Sequence, residues 1–321
     1  MISTWLTDTF GLRVPVAAAT MAGPADGTFA AAGAAAGILG GLGVGPASTG
    51  DWVRDQAAIA RHDGGPYCIG LMAWALDRDD APLAAAIAAR PAAIGISFGE
   101  IGPYVARVRD AGIPVISQVG TTAQALAAEA AGADAVVARG GEGGGHGYDR
   151  VATLPLLQSV LTAVKVPVLA GGGIATARGL AAVLAAGAVG AWIGTALATC
   201  RESAWPDDVV ARLGSVGEGG TRYGHVFDRA SQAGWPAEIG GRAVRNEFLE
   251  AWYGRESELG EAERVAFRES FATRDFSTMP VYAGQGAALL DEQRRPIAEL
   301  VTELAGAEEH LARVAGLLGH S

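Results

Sequence analysis

The stretch Thr122-Ala-Gln-Ala-Leu-Ala-Ala-Glu-Ala-Ala131-Gly132-Ala-Asp134-Ala-Val-Val-Ala138 reads as a helix, a stop and a strand. Alanine, glutamine and glutamate favour the helix, glycine just past the last helical residue ends it, and the β-branched pair then opens a short buried strand. The same joint recurs as Ala-Gly-Ile-Pro114 and Ala-Gly-Ala-Val189. Outward from this unit, apolar runs alternate with alanine-rich stretches at a spacing of roughly 20 to 30 residues, the rhythm of βα units around a parallel sheet. Eight strands are predicted, at 14–19, 38–42, 66–71, 92–96, 113–118, 134–138, 166–170 and 189–193. Between them lie helices at 122–131 and 176–186, the second with Leu180, Val183 and Leu184 on one face. Eight such units close into a TIM (β/α)8 barrel, an α/β fold.

After Arg212 the rhythm stops. Residues 214–277 carry aromatic side chains from Tyr223 to Tyr253 together with Arg222, Arg242 and Arg245, and are predicted as a small, mainly helical cap subdomain. The barrel then comprises residues 1–213 and 278–321, with an amphipathic helix over 289–318 placed to pack back on it.

The chain has 321 residues, half of them hydrophobic, enough for one large core with an added subdomain. A net charge of −10 and the absence of a basic cluster exclude a nucleic-acid backbone as partner. The first residues lack a basic stretch followed by an apolar one, and Pro24 and Asp26 interrupt the next apolar segment, so a cytoplasmic protein without a membrane span is expected. Cys68 and Cys200 lie in no CxxC pattern, which removes disulfide and zinc frameworks; no metal site is expected. Lys165 is the only lysine and precedes the seventh strand, at the end of a barrel away from catalysis, so Schiff-base and P-loop chemistry drop out.

The catalytic face of such a barrel lies beyond the strand C-termini. Behind the sixth strand stands Arg139-Gly-Gly-Glu-Gly-Gly-Gly-His146-Gly-Tyr-Asp149. A loop so poor in side chains lets a flat ligand and a general base approach each other, and His146 is the one barrel-loop residue suited to both giving and taking a proton near neutrality. The alternative is a surface turn in which His146 caps a helix or binds water. Gly171-Gly-Gly173 and Gly194-Thr195 follow the seventh and eighth strands, where backbone N–H groups commonly build a phosphate site. Their alternatives are a ligand-free turn and a helix N-cap.

Three segments carry a resemblance: Gly-x-Glu-x-Gly-Gly-His-x at 140–147, Pro-Val-Leu-Ala-Gly-Gly-Gly-Ile at 167–174, and Trp-Ile-Gly-Thr-Ala at 192–196 followed by Glu202-Ser203. Together with Ala19-Thr-Met-Ala-Gly23, Arg242-Ala-Val-Arg-Asn246 and Ala283-Gly-Gln-Gly286, they make the chain resemble the nitronate monooxygenases, formerly 2-nitropropane dioxygenases, over nearly its whole length. The resemblance implies an FMN-dependent barrel with a cap over the flavin. Gly172, Gly173, Gly194 and Thr195 would hold the FMN phosphate, and Ala19, Thr20 and Met21 would lie along the isoalloxazine. Gly70, Gln118, Arg139, Gly144, Trp192 and Ile193 would complete the flavin site.

His146 would be the base or a hydrogen-bond donor to substrate, with Gln285 and His225 as further substrate contacts. The chain departs from the family with Gly70 where asparagine is usual and Arg139 where glutamine is usual. Arg139 either stabilises the reduced flavin at its N1–C2=O edge or pairs with Glu142 or Asp149. Glu142 is read as structural, orienting Arg139 or receiving loop N–H groups. The implied reaction oxidises a small alkyl nitronate with O2 to a carbonyl compound and nitrite. An FMN-dependent NAD(P)H enoyl-thioester reductase, a flavin binder with little turnover and a redox-free phosphosugar isomerase are the rivals. The aromatic cap would close over a ligand or form a homodimer contact.

Overall fold

In the computed structural model, residues 2–62, 64–291 and 293–317 are described. Strands β1 (Val16–Ala18), β2 (Gly40–Gly43), β3 (Tyr67–Met72), β4 (Ala93–Ser97), β5 (Val115–Val119) and β6 (Ala135–Arg139) follow in chain order. A short β7 (Gly145–Gly147) precedes β8 (Val168–Gly171) and β9 (Gly190–Ile193), and β10 (Thr221–Gly224) and β11 (Gly240–Val244) come last. All strands except β7, β10 and β11 form one parallel eight-stranded sheet, in the order β1-β9-β8-β6-β5-β4-β3-β2. The Ala18 amide donates to the Leu39 carbonyl at 2.8 Å and the Leu39 amide to Val16 at 3.0 Å, closing β1 onto β2. The expected TIM barrel is present, each predicted strand overlapping an observed one.

Helix Thr122–Ala131 has the predicted bounds; the Thr121 side chain accepts the Gln124 amide at its start, and Gly132 at φ 97° ends it. Only glycine takes that left-handed turn without a Cβ penalty, which is why Ala-Gly joints precede the strands.

Alternate residues of each strand face two different layers. Outside, Val16, Ala18, Ile69, Ile94, Val115, Val136 and Ile193 pack under the helices. Inside, Ala17, Leu39, Cys68, Ile116, Val137, Leu169 and Trp192 fill the barrel, and helix Trp5–Phe10 plugs its lower end with Leu6. Burial pushes the Cys68 and Cys200 thiols up to about 12, so both are inert packing groups.

The cap carries helices Val226–Ser231, Glu247–Trp252 and Glu261–Thr273 around Phe227, Phe248, Leu249 and Phe267. It also holds a three-stranded antiparallel sheet, β10-β11-β7, whose last strand is donated by the His146 loop. On the barrel side, the Val244 amide donates to Val281 and the Ala283 amide to Arg242, so residues 281–283 extend the same layer. Instead of one C-terminal helix, two occur, Ile297–Ala305 and Ala307–Gly316, separated at Gly306. Ile297, Leu300, Val301 and Leu304 pack the first against the barrel helices, and the Glu202 carboxylate receives the Ile297 amide at its start. Leu318, the expected end of that segment, lies outside the described residues, as does His320. No helix among the described residues is long and apolar enough to cross a membrane.

Candidate active site

A cleft of about 220 Å³ opens at the C-terminal ends of the barrel strands. One wall is backbone. Gly172 and Gly173 turn the chain at φ 103° and 72° beyond β8, and Gly194 follows β9. The Thr195 hydroxyl accepts the Gly284 amide at 3.0 Å, and Gly286 lies against Gly173, so residues 283–286 close this wall from behind. Ala19, Thr20 and Met21 run along the adjoining side, with Gln118 and Trp192 at the floor.

Gly70 faces this floor too. A Cβ there would stand 1.9 Å from the Thr20 hydroxyl oxygen, so the space a longer residue at 70 would use is filled by Thr20. That is the physical content of the departure noted at this position.

The opposite wall is made of side chains. His146 sits on β7 opposite Gly241, its ring stacked on Trp235 with centroids 3.7 Å apart and planes 5° apart. Tyr282 tilts against it at 5.1 Å, while Phe98 and Trp74 pack on Trp235 at 5.4 and 4.9 Å. Phe98 holds φ 65°, a conformation costing about 1–2 kcal/mol for a residue with a Cβ, and such strain collects at working sites. His146 Nε2 lies 2.7 Å from Asp228 Oδ1, on cap helix Val226–Ser231. Burial, with the Asp228 charge adding to it, pushes the Tyr282 phenol pKa upward, so the phenol stays protonated.

The loop between the walls is held by Arg139. Its guanidinium, 4% exposed as a residue, donates to the Gly143, Gly144 and Gly145 carbonyls at 2.5, 3.0 and 3.0 Å and to Tyr148 at 3.3 Å. Burial, and then repulsion from Arg242, lowers its pKa to about 10, which leaves it charged at neutral pH. The ion pair with Glu142 or Asp149, one of the two readings of Arg139, does not form. Asp149 instead pairs with buried Arg242 at 2.8 Å, and Arg242 Nε donates to the Gly141 carbonyl at 2.7 Å. Glu142 neither orients Arg139 nor receives loop N–H groups: its carboxylate accepts the amide and hydroxyl of Thr153, both at 2.8 Å, at the first residue of helix Thr153–Ala163. Gly144 meets the Gly284 backbone so closely that a Cβ would stand 2.4 Å from the Gly284 nitrogen.

The structure therefore gathers Ala19, Thr20, Met21, Gly70, Gln118, Arg139, Gly144, His146, Gly172, Gly173, Trp192, Gly194 and Thr195 at one cleft. It leaves three expected residues out. The Ile193 side chain points into the helix-facing layer, because neighbouring strand residues face opposite ways; only its backbone is near, accepting from the Ala19 amide. Gln285 is exposed, and its backbone N–H donates to the Glu142 backbone carbonyl. His225 does not line the cleft but a neighbouring cap cavity that shares Trp235 with it and also includes Asp228, Arg229 and Arg264. Asp228, Trp235, Tyr282, Trp74 and Phe98 escape sequence reasoning. The aromatic richness of the cap was the one available signal, and it does not say which ring meets His146. Among the described residues no His, Cys, Asp and Glu cluster could hold a metal.

A sequence profile of the nitronate monooxygenase family matches residues 77–306. A nitronate monooxygenase of Paraburkholderia phytofirmans is 32% identical over 70% of this chain and 63% of its own length. A (3aS,4S,5R,7aS)-5-hydroxy-7a-methyl-1-oxo-octahydro-1H-indene-4-carboxyl-CoA dehydrogenase of Rhodococcus jostii is 37% identical over 65% of this chain and 58% of its own. The chain thus spans about six-tenths of the length of these curated relatives. Among solved structures, FabK from Thermotoga maritima superposes with a TM-score of 0.87 at 25% identity, covering 99% of this chain and 100% of that one. The nitroalkane oxidase from Streptomyces ansochromogenes superposes with a TM-score of 0.83 at 28% identity, covering 97% and 99%. With the profile spanning well over half of its length, the chain belongs to the nitronate monooxygenase family.

Proposed function

We propose that this protein oxidises alkyl nitronates with O2 to a carbonyl compound and nitrite, using FMN, with His146 as the active-site base. The observation that carries the reading is the cleft itself: a backbone-lined wall faces a histidine held in an aromatic box, in a member of this family. The residues present fit the cofactor. The wall at Gly172, Gly173 and Gly194 has no side chains, so its peptide groups are open to a phosphate, and a Cβ at Gly194 would press on Met21 Sδ at 3.3 Å. Thr195 adds a hydroxyl, and Ala19, Thr20, Met21, Gly144, Gln118, Gly70 and Trp192 line the space beside it. When bound, FMN supplies the redox chemistry between substrate and O2. The protein orients the substrate, excludes water with Phe98 and Trp235, and takes or returns a proton at His146. In this reading residues 1–213 and 278–321 are the flavin-binding barrel and residues 214–277 the substrate cap.

Mixing FMN-reconstituted protein with propionate 3-nitronate without oxygen tests the proposal. The visible flavin absorbance should bleach and recover on admitting air, with nitrite released. An unchanged spectrum with FMN demonstrably bound overturns it. The similarity to a carboxyl-CoA dehydrogenase favours one alternative, a thioester oxidoreductase, which NADPH consumption with a crotonyl thioester would reveal.

A further inference from the structure

We infer that Asp228 is the positioning residue of His146: the cap turns Nε2–H toward its own carboxylate and leaves Nδ1 as the nitrogen that takes the proton. The inference rests on the reading of His146 as base.

The contact between His146 Nε2 and Asp228 Oδ1 is 2.7 Å, with the two side chains only 13% and 11% exposed, so water competes little for it. An ionised carboxylate has no proton to give, so Nε2 is the donor, and a neutral imidazole protonated there carries its lone pair on Nδ1. Trp235 stacking at 3.7 Å and Tyr282 at 5.1 Å fix the plane of the ring. Asp228 is equally held. Its helix buries Val226, Phe227 and Ala230 in the cap core, and His146 is its one salt-bridge partner among the described residues. Barrel loop and cap thus each supply half of one proton-transfer unit, across a separation of 82 residues.

The arrangement has a consequence for substrate choice. A nitronate arrives with its α-proton already gone, whereas a neutral nitroalkane must surrender one. In that step the Cα–H bond breaks, the proton goes to Nδ1, and the electron pair becomes the C=N bond with the charge on the nitro oxygens. The imidazolium so formed faces the Asp228 carboxylate, which stabilises it, and no electron leaves the substrate. Asp228 therefore matters for nitroalkanes and little for nitronates.

Two measurements on FMN-loaded protein test this. Ring nitrogen NMR of 15N-histidine-labelled protein, with the His146 signal assigned by its loss in His146→Asn, should show the Nε2-protonated tautomer in the parent chain. Asp228→Ala should give a mixed or reversed tautomer, while Asp228→Asn, which keeps an acceptor oxygen, should retain it. In turnover, Asp228→Ala should lower kcat on nitroethane by about 100-fold, the scale of general-base catalysis, and on ethyl nitronate by no more than about threefold. Asp228→Asn should fall between, without the charge but with the geometry. An Nδ1-protonated His146 in the parent chain, or equal fractional losses on the two substrates, overturns the inference. If neither substrate turns over, the proposed function fails, and the tautomer still decides the role of Asp228.

Discussion

The two walls of the cleft are built differently. The glycine wall comes from short contiguous segments, at 171–173, 194–195 and 284–286, and offers backbone. The aromatic wall takes one ring each from four separated places, Phe98, His146, Trp235 and Tyr282, with Trp74 packed on Trp235, and offers side chains. A backbone site depends on where the chain can turn, which is a local property. A side-chain site depends on which distant surfaces meet, so it can vary with the cap while the barrel stays constant. The comparison predicts that cofactor binding and turnover are separable by mutation.

The largest expected effect is on His146→Asn. Turnover of nitroethane, which must give up its α-proton, should fall by about 10²- to 10⁴-fold, the usual worth of a positioned acid–base group, while FMN affinity stays within about threefold. Steady-state kcat and a flavin fluorescence titration read the two quantities. Parallel loss of both would mean that the walls are one unit. Next comes Arg139→Met. It removes a buried guanidinium that serves four loop carbonyls, and it should cost about 3 kcal/mol of stability in urea unfolding, since those carbonyls lose their partners. A loss under about 1 kcal/mol would show that water replaces the guanidinium and that the loop needs no internal brace.

How much of this was legible follows the same division. Helix Thr122–Ala131 and the barrel strands were readable because capping threonines, Ala-Gly joints and β-branched runs act within a few residues. Strand β7 was not, since Gly145-His-Gly147 has no strand-forming residue and is extended only because β11 pairs with it. The direction of the Ile193 side chain follows from the strand period of two, which sends it to the helix layer and leaves its backbone beside Ala19. Arg139 was recognised as unusual, but its four carbonyl partners became visible only with the loop folded round it. Asp228 and Trp235 leave no mark near His146 in the chain, because their contact is made by cap packing alone.

Gly144→Ala probes the seam between the walls. A methyl group there would stand 2.4 Å from the Gly284 nitrogen, and backbone cannot rotate away as a side chain can. Separating the His146 loop from residues 283–286 should cost about 2 kcal/mol, the usual scale of overpacking, seen as a lowered Tm. Because Gly284 also donates to Thr195, FMN affinity should weaken in the same variant, unlike in His146→Asn. An unchanged affinity would detach residues 283–286 from the glycine wall.

The smallest effect is expected from Trp235→Ala, and its direction is the informative part. Trp235 packs on His146, Trp74 and Phe98 at once, so its loss opens the aromatic wall without touching a hydrogen bond of the His146–Asp228 pair. An aromatic pair contributes about 1 kcal/mol beyond its buried area, equivalent to roughly fivefold in an equilibrium constant. If the ring chiefly shapes the cleft, that amount appears as a fivefold rise in KM with kcat nearly unchanged. If it chiefly holds the imidazole plane, kcat falls and KM stays. The first outcome is expected, because Asp228 and the pairing of β7 with β11 still restrain His146 when the indole is gone. The second would make the stacked indole, rather than the carboxylate, the principal restraint on the imidazole.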